Sequence, residues 1–159
     1  MMGNTHNKAL TTVFIIVLAA CSAMFVASSI AIPVARGARH SYKKVGCEIT
    51  SKTNYSSYVN LKYEIENRNS SEITYLRIKT KVYSASSFYG SFEVTFNNNI
   101  NAKSIETFSV TVDQYTDVYW SLKDYSYSSL TFKHYLEDIR FYDGTYKYDL
   151  DYQMSGIYK

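Results

Sequence analysis

Two hydrophobic patterns divide this chain. From Ala9 to Ala35 the sequence ALTTVFIIVLAACSAMFVASSIAIPVA runs 27 residues without a charge, whereas beyond residue 44 apolar positions alternate with polar ones. A helix rises about 1.5 Å per residue, so the first pattern makes a rod of about 40 Å against a hydrocarbon core of about 30 Å. It predicts a membrane-spanning helix over residues 9–35. Residues 1–8 form a short tail before it, and the basic stretch RGARHSYKK, residues 36–44, a linker after it.

The second pattern has a period of two. Val59, Leu61, Tyr63 and Ile65 alternate with Asn60, Lys62, Glu64 and Glu66, as in a strand with one face in a core. Leu76, Ile78, Thr80 and Val82 repeat the pattern against Arg77, Lys79 and Lys81. Between them Asn67-Arg68-Asn69-Ser70-Ser71 reads as a turn, so the pair predicts a hairpin. Further strands are marked by Phe92, Val94 and Phe96, ended by Asn97-Asn98-Asn99, by Phe108, Val110 and Val112, and by Leu130 and Phe132. Asp143-Gly144, between Ile139–Tyr142 and Thr145–Tyr148, predicts a second hairpin with a type I′ turn. No segment reads as a convincing amphipathic helix. Residues 45–159 are therefore expected to fold as one all-β domain, an immunoglobulin-like antiparallel β-sandwich of seven or eight strands. The single proline, Pro33, lies in the apolar run, so no proline guards the strand edges, and an open edge can accept an added strand.

The apolar run also has rival readings. Leu18-Ala19-Ala20-Cys21-Ser22 resembles a bacterial lipobox, which makes Cys21 a candidate for lipidation, and Ser29-Ile30-Ala31 resembles a small-residue cleavage site. Met24, Phe25, Val26, Ile30 and Ile32 carry the apolar character past Cys21, which favours one uncleaved helix. Gly3 lacks the Ser or Thr that myristoylation needs, since Asn7 stands at that position.

Charge refines the picture. Of 17 Lys and Arg, five (Lys8, Arg36, Arg39, Lys43, Lys44) precede residue 45, where there are no acids, so residues 45–159 hold 12 bases against 14 acids. The domain is mildly acidic, and no basic stripe with interleaved aromatics points to nucleic acid. Bases after the apolar run favour a cytoplasmic domain by the positive-inside rule. The Tyr, Ser, Thr and Asn content and the signal-like start favour an extracytoplasmic one, which is the expectation adopted.

The stretch from Lys62 to Val112, KYEIENRNSSEITYLRIKTKVYS leading to INAKSIETFSVTV, resembles FxLYD-like bacterial surface-associated β-sandwich domains. The resemblance implies a module that binds or spaces, and it transfers no functional residue.

Candidate chemistry is sparse, so no catalytic residue, metal or cofactor is expected. His134 is the domain's single histidine and reads as a strand residue with one hydrogen-bond partner; Cys47 reads as a buried strand residue. A Cys47–His134 dyad would need a third, orienting group. Asp138, Asp143, Asp149 and Asp151 around the last hairpin read as a solvated face rather than a calcium site. A hydrolase using Asp113 and Asp117 is the enzymatic rival, and it would need a concave site. Asn54-Tyr55-Ser56 and Asn69-Ser70-Ser71 are glycosylation sequons that matter only in a secretory-pathway host. All 17 tyrosines follow the apolar run, too many for one small core to bury. The densest group, Tyr115, Tyr119, Trp120, Tyr125 and Tyr127, is the candidate binding surface for a protein or a cell-surface carbohydrate. The expected partners are the membrane, through residues 9–35, and a protein or a second copy of the chain.

Overall fold

The computed structural model describes residues 40–158, and the expected anchor and Cys21 lie outside them. Among the described residues no helix is long and apolar enough to cross a membrane. The chain enters through a single 3-10 turn, Tyr42–Lys44, and builds β1 (Val45–Asn54), β2 (Tyr58–Asn67), β3 (Ile73–Ser84), β4 (Ser87–Phe96) and β5 (Ser104–Asp113). A six-residue helix, α1 (Tyr119–Asp124), then precedes β6 (Leu130–Phe141), β7 (Tyr146–Lys147) and β8 (Tyr152–Gln153).

These strands make two antiparallel sheets. The first has the order β1-β2-β5, and the second β4-β3-β6-β7, with β8 also paired to β6. Alternation decides which side of each strand is buried. Val59, Leu61, Tyr63 and Ile65 of β2 are fully buried, and Leu76, Ile78 and Val82 of β3 and Leu136 and Ile139 of β6 face them in one core. Burying such a side chain stabilises by about 1.5–3 kcal/mol, so this shared core holds the sheets face to face. The domain is an all-β sandwich.

Alternation identifies a strand's face but not its neighbour, and the expected hairpin between β2 and β3 does not form. β2 pairs with β1 and β5, β3 with β4 and β6, and residues 67–71 carry the chain from one sheet to the other. The buried Asn67 explains this corner. Its amide Nδ2 donates to the carbonyls of Ser71 (2.9 Å), Ile100 (3.2 Å) and Asn101 (3.0 Å), and its Oδ1 accepts from the Asn69 N–H (3.1 Å). The side chain thus satisfies backbone groups of two crossing loops, a long-range role for a residue of turn-forming type.

Turn chemistry also differs from expectation. At Asp143-Gly144 only the glycine has positive φ (84°). Gly144 N–H donates to Phe141 O and Phe141 N–H to Thr145 O, giving a three-residue loop closed by a glycine bulge. The two-residue turn with positive φ at both central positions, as type I′ requires, is Ala85-Ser86 (44° and 73°) between β3 and β4. Neither residue advertises it in the sequence.

The two sides of the sandwich are unlike. On one side the C-terminal segment stitches the sheets together: Met154 N–H donates to His134 O of β6 (2.8 Å), and Cys47 N–H of β1 donates to Ser155 O (3.0 Å). On the other side β4 and β5 end their sheets, and no described strand pairs with either outer edge.

Candidate functional site

That second side leaves two strand edges open. β4 and β5 run ten residues each, and between them lie two adjoining crevices of about 530 and 370 Å³. Phe92, Phe96 and Val112 are buried at the floor, while Val94, Phe108 and Val110 are half-buried. Phe96 and Phe108 touch across the gap with ring centroids 4.9 Å apart. The outward side chains of β5, Ile105, Thr107, Ser109 and Thr111, are exposed, and Asp113 at the strand end is the first charge among them. A strand edge is usually guarded by lysine, proline, an inward-pointing charge or a covering loop; along β5 the one such guard is Glu106, in the inward register opposite Ile65. The unpaired N–H and C=O groups of such an edge are a template for an extended peptide.

At one end this side is bounded by the segment after β5. Asp113 Oδ1 accepts from Tyr115 N–H (3.0 Å) and Thr116 Oγ1 (3.1 Å), folding the chain back toward β4. Gly90 on β4 makes room for it: a Cβ there would stand 2.5 Å from Val118 Cγ1, and its φ of 146° suits glycine. Gly90 pairs with Val82 at the register shift between Val82 and Tyr83, a place that strand pairing alone reveals.

The five candidate aromatics lie on this crossing segment rather than on a strand face, and the structure gives them different roles. Tyr119 is in the core, 1% exposed; its Oη donates to Ser56 O (3.1 Å) and lies 3.0 Å from Lys123 Nζ. Tyr119 is therefore not available to a ligand. Packing of Tyr119 and Leu122 against the sandwich accounts for α1, which is too short to show a helical period in the sequence. Trp120, next in the helix, is 61% exposed, and Tyr115 is 85% exposed. The Oη atoms of Tyr125 and Tyr89 of β4 are 2.8 Å apart, a bond that raises the Tyr89 pKa. Tyr127 Oη donates to Ile49 O of β1, and burial followed by the nearby Glu48 raises its pKa.

Of the acids around the last hairpin, Asp143, Asp149 and Asp151 are exposed, as a solvated face requires, and only Asp138 departs from that reading. Asp138 is buried; its Oδ2 accepts from Arg77 Nε (2.9 Å) and its Oδ1 from the Asp149 N–H (3.0 Å). Burial raises its pKa, but the bonds to Arg77 and Asp149 outweigh it and hold the carboxyl below its usual range. Asp143 accepts from Thr145 N–H (2.9 Å) and pairs with His40 (2.9 Å), and the Thr145 and His40 contacts lower its pKa. Asp149 and Asp151 sit at positive φ outside the short strands β7 and β8. Among the described residues no group of three His, Cys, Asp or Glu could hold a metal ion.

His134 and Cys47 line one groove between β6 and β1. His134 Nδ1 lies 3.1 Å from Thr80 Oγ1, which lies 2.8 Å from Tyr63 Oη. Burial lowers the His134 pKa to about 4, and burial with the Glu48 charge pushes the Cys47 thiol up. A thiolate–imidazolium pair requires the reverse of both shifts.

The fold and its surfaces define an all-β, two-sheet sandwich domain with one closed and one open side. No family model and no curated protein matches the chain. Among solved structures it is similar to the X-ray structure of Northeast Structural Genomics Consortium target SoR45, at 8% identity over 70% of this chain and 83% of that one, with a TM-score of 0.34.

Proposed function

We propose that the chain is a single-pass membrane protein presenting an immunoglobulin-like sandwich outside the cell, where it binds a protein partner without catalysis. The uncharged run over residues 9–35 supports the anchor. The strand order supports the immunoglobulin-like reading, with the fourth strand placed in the sheet of the third, sixth and seventh. The observation that carries the binding role is the open β4/β5 side. An extended segment of the partner adds to the β5 edge by main-chain hydrogen bonds, and alternate side chains of that segment enter the crevices beside Val94 and Val110. Exposed Tyr115, which lines one crevice, and exposed Trp120, five residues further along the chain, add aromatic contact area.

Crosslinking in intact cells tests this reading. The wild-type chain and a Val110→Lys variant, whose added charge points into the open side, are compared at equal expression. The expected result is a discrete crosslinked species with the wild type that is lost in the variant. An unchanged species, or none in either, would refute strand addition.

A further inference from the structure

The two outer faces of the sandwich carry opposite charge, each through a like-charged pair set directly across neighbouring strands. On the second sheet Lys81 of β3 stands opposite Lys133 of β6, with Lys79 two residues away on β3. Lys81 Nζ sits 4.1 Å from the Tyr135 ring centroid and Lys133 Nζ 5.0 Å from that of Tyr83, so rings rather than carboxylates hold both ammonium groups. Among the described residues none of these three lysines is in an ion pair. Arg140 adds a further cation on the same sheet. Glu93 binds Arg77 and also stands opposite Lys79, Asp138 is taken up by Arg77, and Glu137 sits in the bulge of β6, so Lys81 and Lys133 are the uncompensated pair.

On the first sheet Glu48 of β1 stands opposite Glu64 of β2. Glu66, bound to Arg68, and Asp113 share that outward register, against the single lysine Lys62. Like charges placed directly opposite weaken a sheet. One contact would relieve both pairs: the acidic face of one molecule against the basic face of another.

We infer that the chain self-associates in this way, the Glu48/Glu64 face of one copy docking on the Lys81/Lys133 face of the next. The contact joins different faces, so it is heterologous and leaves a free face on each copy for the next, building assemblies larger than a dimer. Residues 45–159 have 12 bases against 14 acids and no net attraction for each other. Association therefore follows from the division of charge between faces, and salt screens it. This contact uses neither open edge and is independent of strand addition.

The test is sedimentation velocity of the full-length chain in mild detergent, over a concentration series at low and at high salt. Expected is a mass that grows with concentration at low salt and returns to that of a monomer at high salt. Lys81→Glu with Lys133→Glu makes both faces acidic, and Glu48→Lys with Glu64→Lys makes both basic. Each variant alone should stay monomeric, and an equimolar mixture should associate again, because every contact then joins opposite charges. The milder Lys81→Gln/Lys133→Gln variant should weaken association at least tenfold without lowering the melting temperature, since it also removes the like-charged pair. A monomeric wild type, variants that associate like wild type, or a mixture without rescue would each overturn the proposal. So would a monomeric wild type that binds sodium polygalacturonate through Lys81 and Lys133, which would make the face a site for acidic polymers. Association that survives both charge variants but is lost in Val110→Lys would also overturn it, while leaving strand addition standing.

Discussion

The Tyr63 hydroxyl of β2 lies 2.8 Å from the Thr80 hydroxyl of β3, a buried hydrogen bond that joins the two sheets through the core. Thr80 also lies 3.1 Å from His134 Nδ1, so it is the middle of a chain of three polar groups. Tyr63→Phe removes one end and should cost about 1 kcal/mol. Thr80→Val removes the middle, leaving two buried groups without this partner, and should cost about 3 kcal/mol. Urea unfolding of both variants checks the order; equal losses would mean that the chain is not coupled through Thr80.

Acid should destabilise the domain before its carboxylates titrate. Burial lowers the His134 pKa to about 4, against the ordinary value of 6.5 that it regains on unfolding. Above pH 6.5 both states are neutral at this residue and its contribution is complete. Between 6.5 and 4 the unfolded chain takes up the proton while the folded one resists, so stability falls as pH falls. The loss is at most about 1.4 kcal/mol per pH unit. Asp138, whose pKa is depressed, adds its loss below the usual carboxylate range. Denaturant midpoints measured from pH 7.5 to 4.5 should decline in the wild type and flatten in His134→Gln. A flat wild-type profile would contradict the buried neutral imidazole.

Gly90→Ala should be among the more damaging small substitutions. The added methyl group would meet Val118 Cγ1 at 2.5 Å on a backbone with φ of 146°. Overpacking and backbone strain together should cost about 2–3 kcal/mol. Combining it with Val118→Ala should cost less than the sum of the two single changes, because the clash is then gone. Strict additivity in thermal melts would place the strain elsewhere.

The strand faces were legible because alternation reports burial directly: the apolar positions of β2 are the residues that face the core. Strand partners were not, since Asn67 has a turn-former's sequence signature yet acts through bonds to Ile100 and Asn101, more than thirty residues away. The 12-residue β6 read as two segments because its bulge breaks the alternation opposite Arg77 and Ile78. The charged faces were hidden for a similar reason, as Lys81 and Lys133 become neighbours only through strand pairing. The aromatic-rich segment was visible, but composition could not separate buried Tyr119 from exposed Trp120 beside it.

That pair gives a direct contrast between fold and binding. Tyr119→Ala empties a core position and should cost about 3–5 kcal/mol. Trp120→Ala removes an exposed ring and should change stability by no more than about 0.5 kcal/mol while weakening crosslinking to the partner. Thermal melts and crosslinking of both proteins separate these effects. If Trp120→Ala leaves crosslinking unchanged, the indole is not part of the binding surface.

Outward presentation on a retained anchor is the central claim, and labelling of intact cells tests it most directly. In a Cys21→Ser background, a cysteine placed at Asn98, in the exposed loop after β4, is treated with a membrane-impermeant maleimide; native Cys47 is buried and should stay silent. The account predicts labelling without permeabilisation and recovery of the labelled chain in the membrane fraction after a high-salt wash. Labelling only after permeabilisation, or recovery in the soluble fraction, would contradict it.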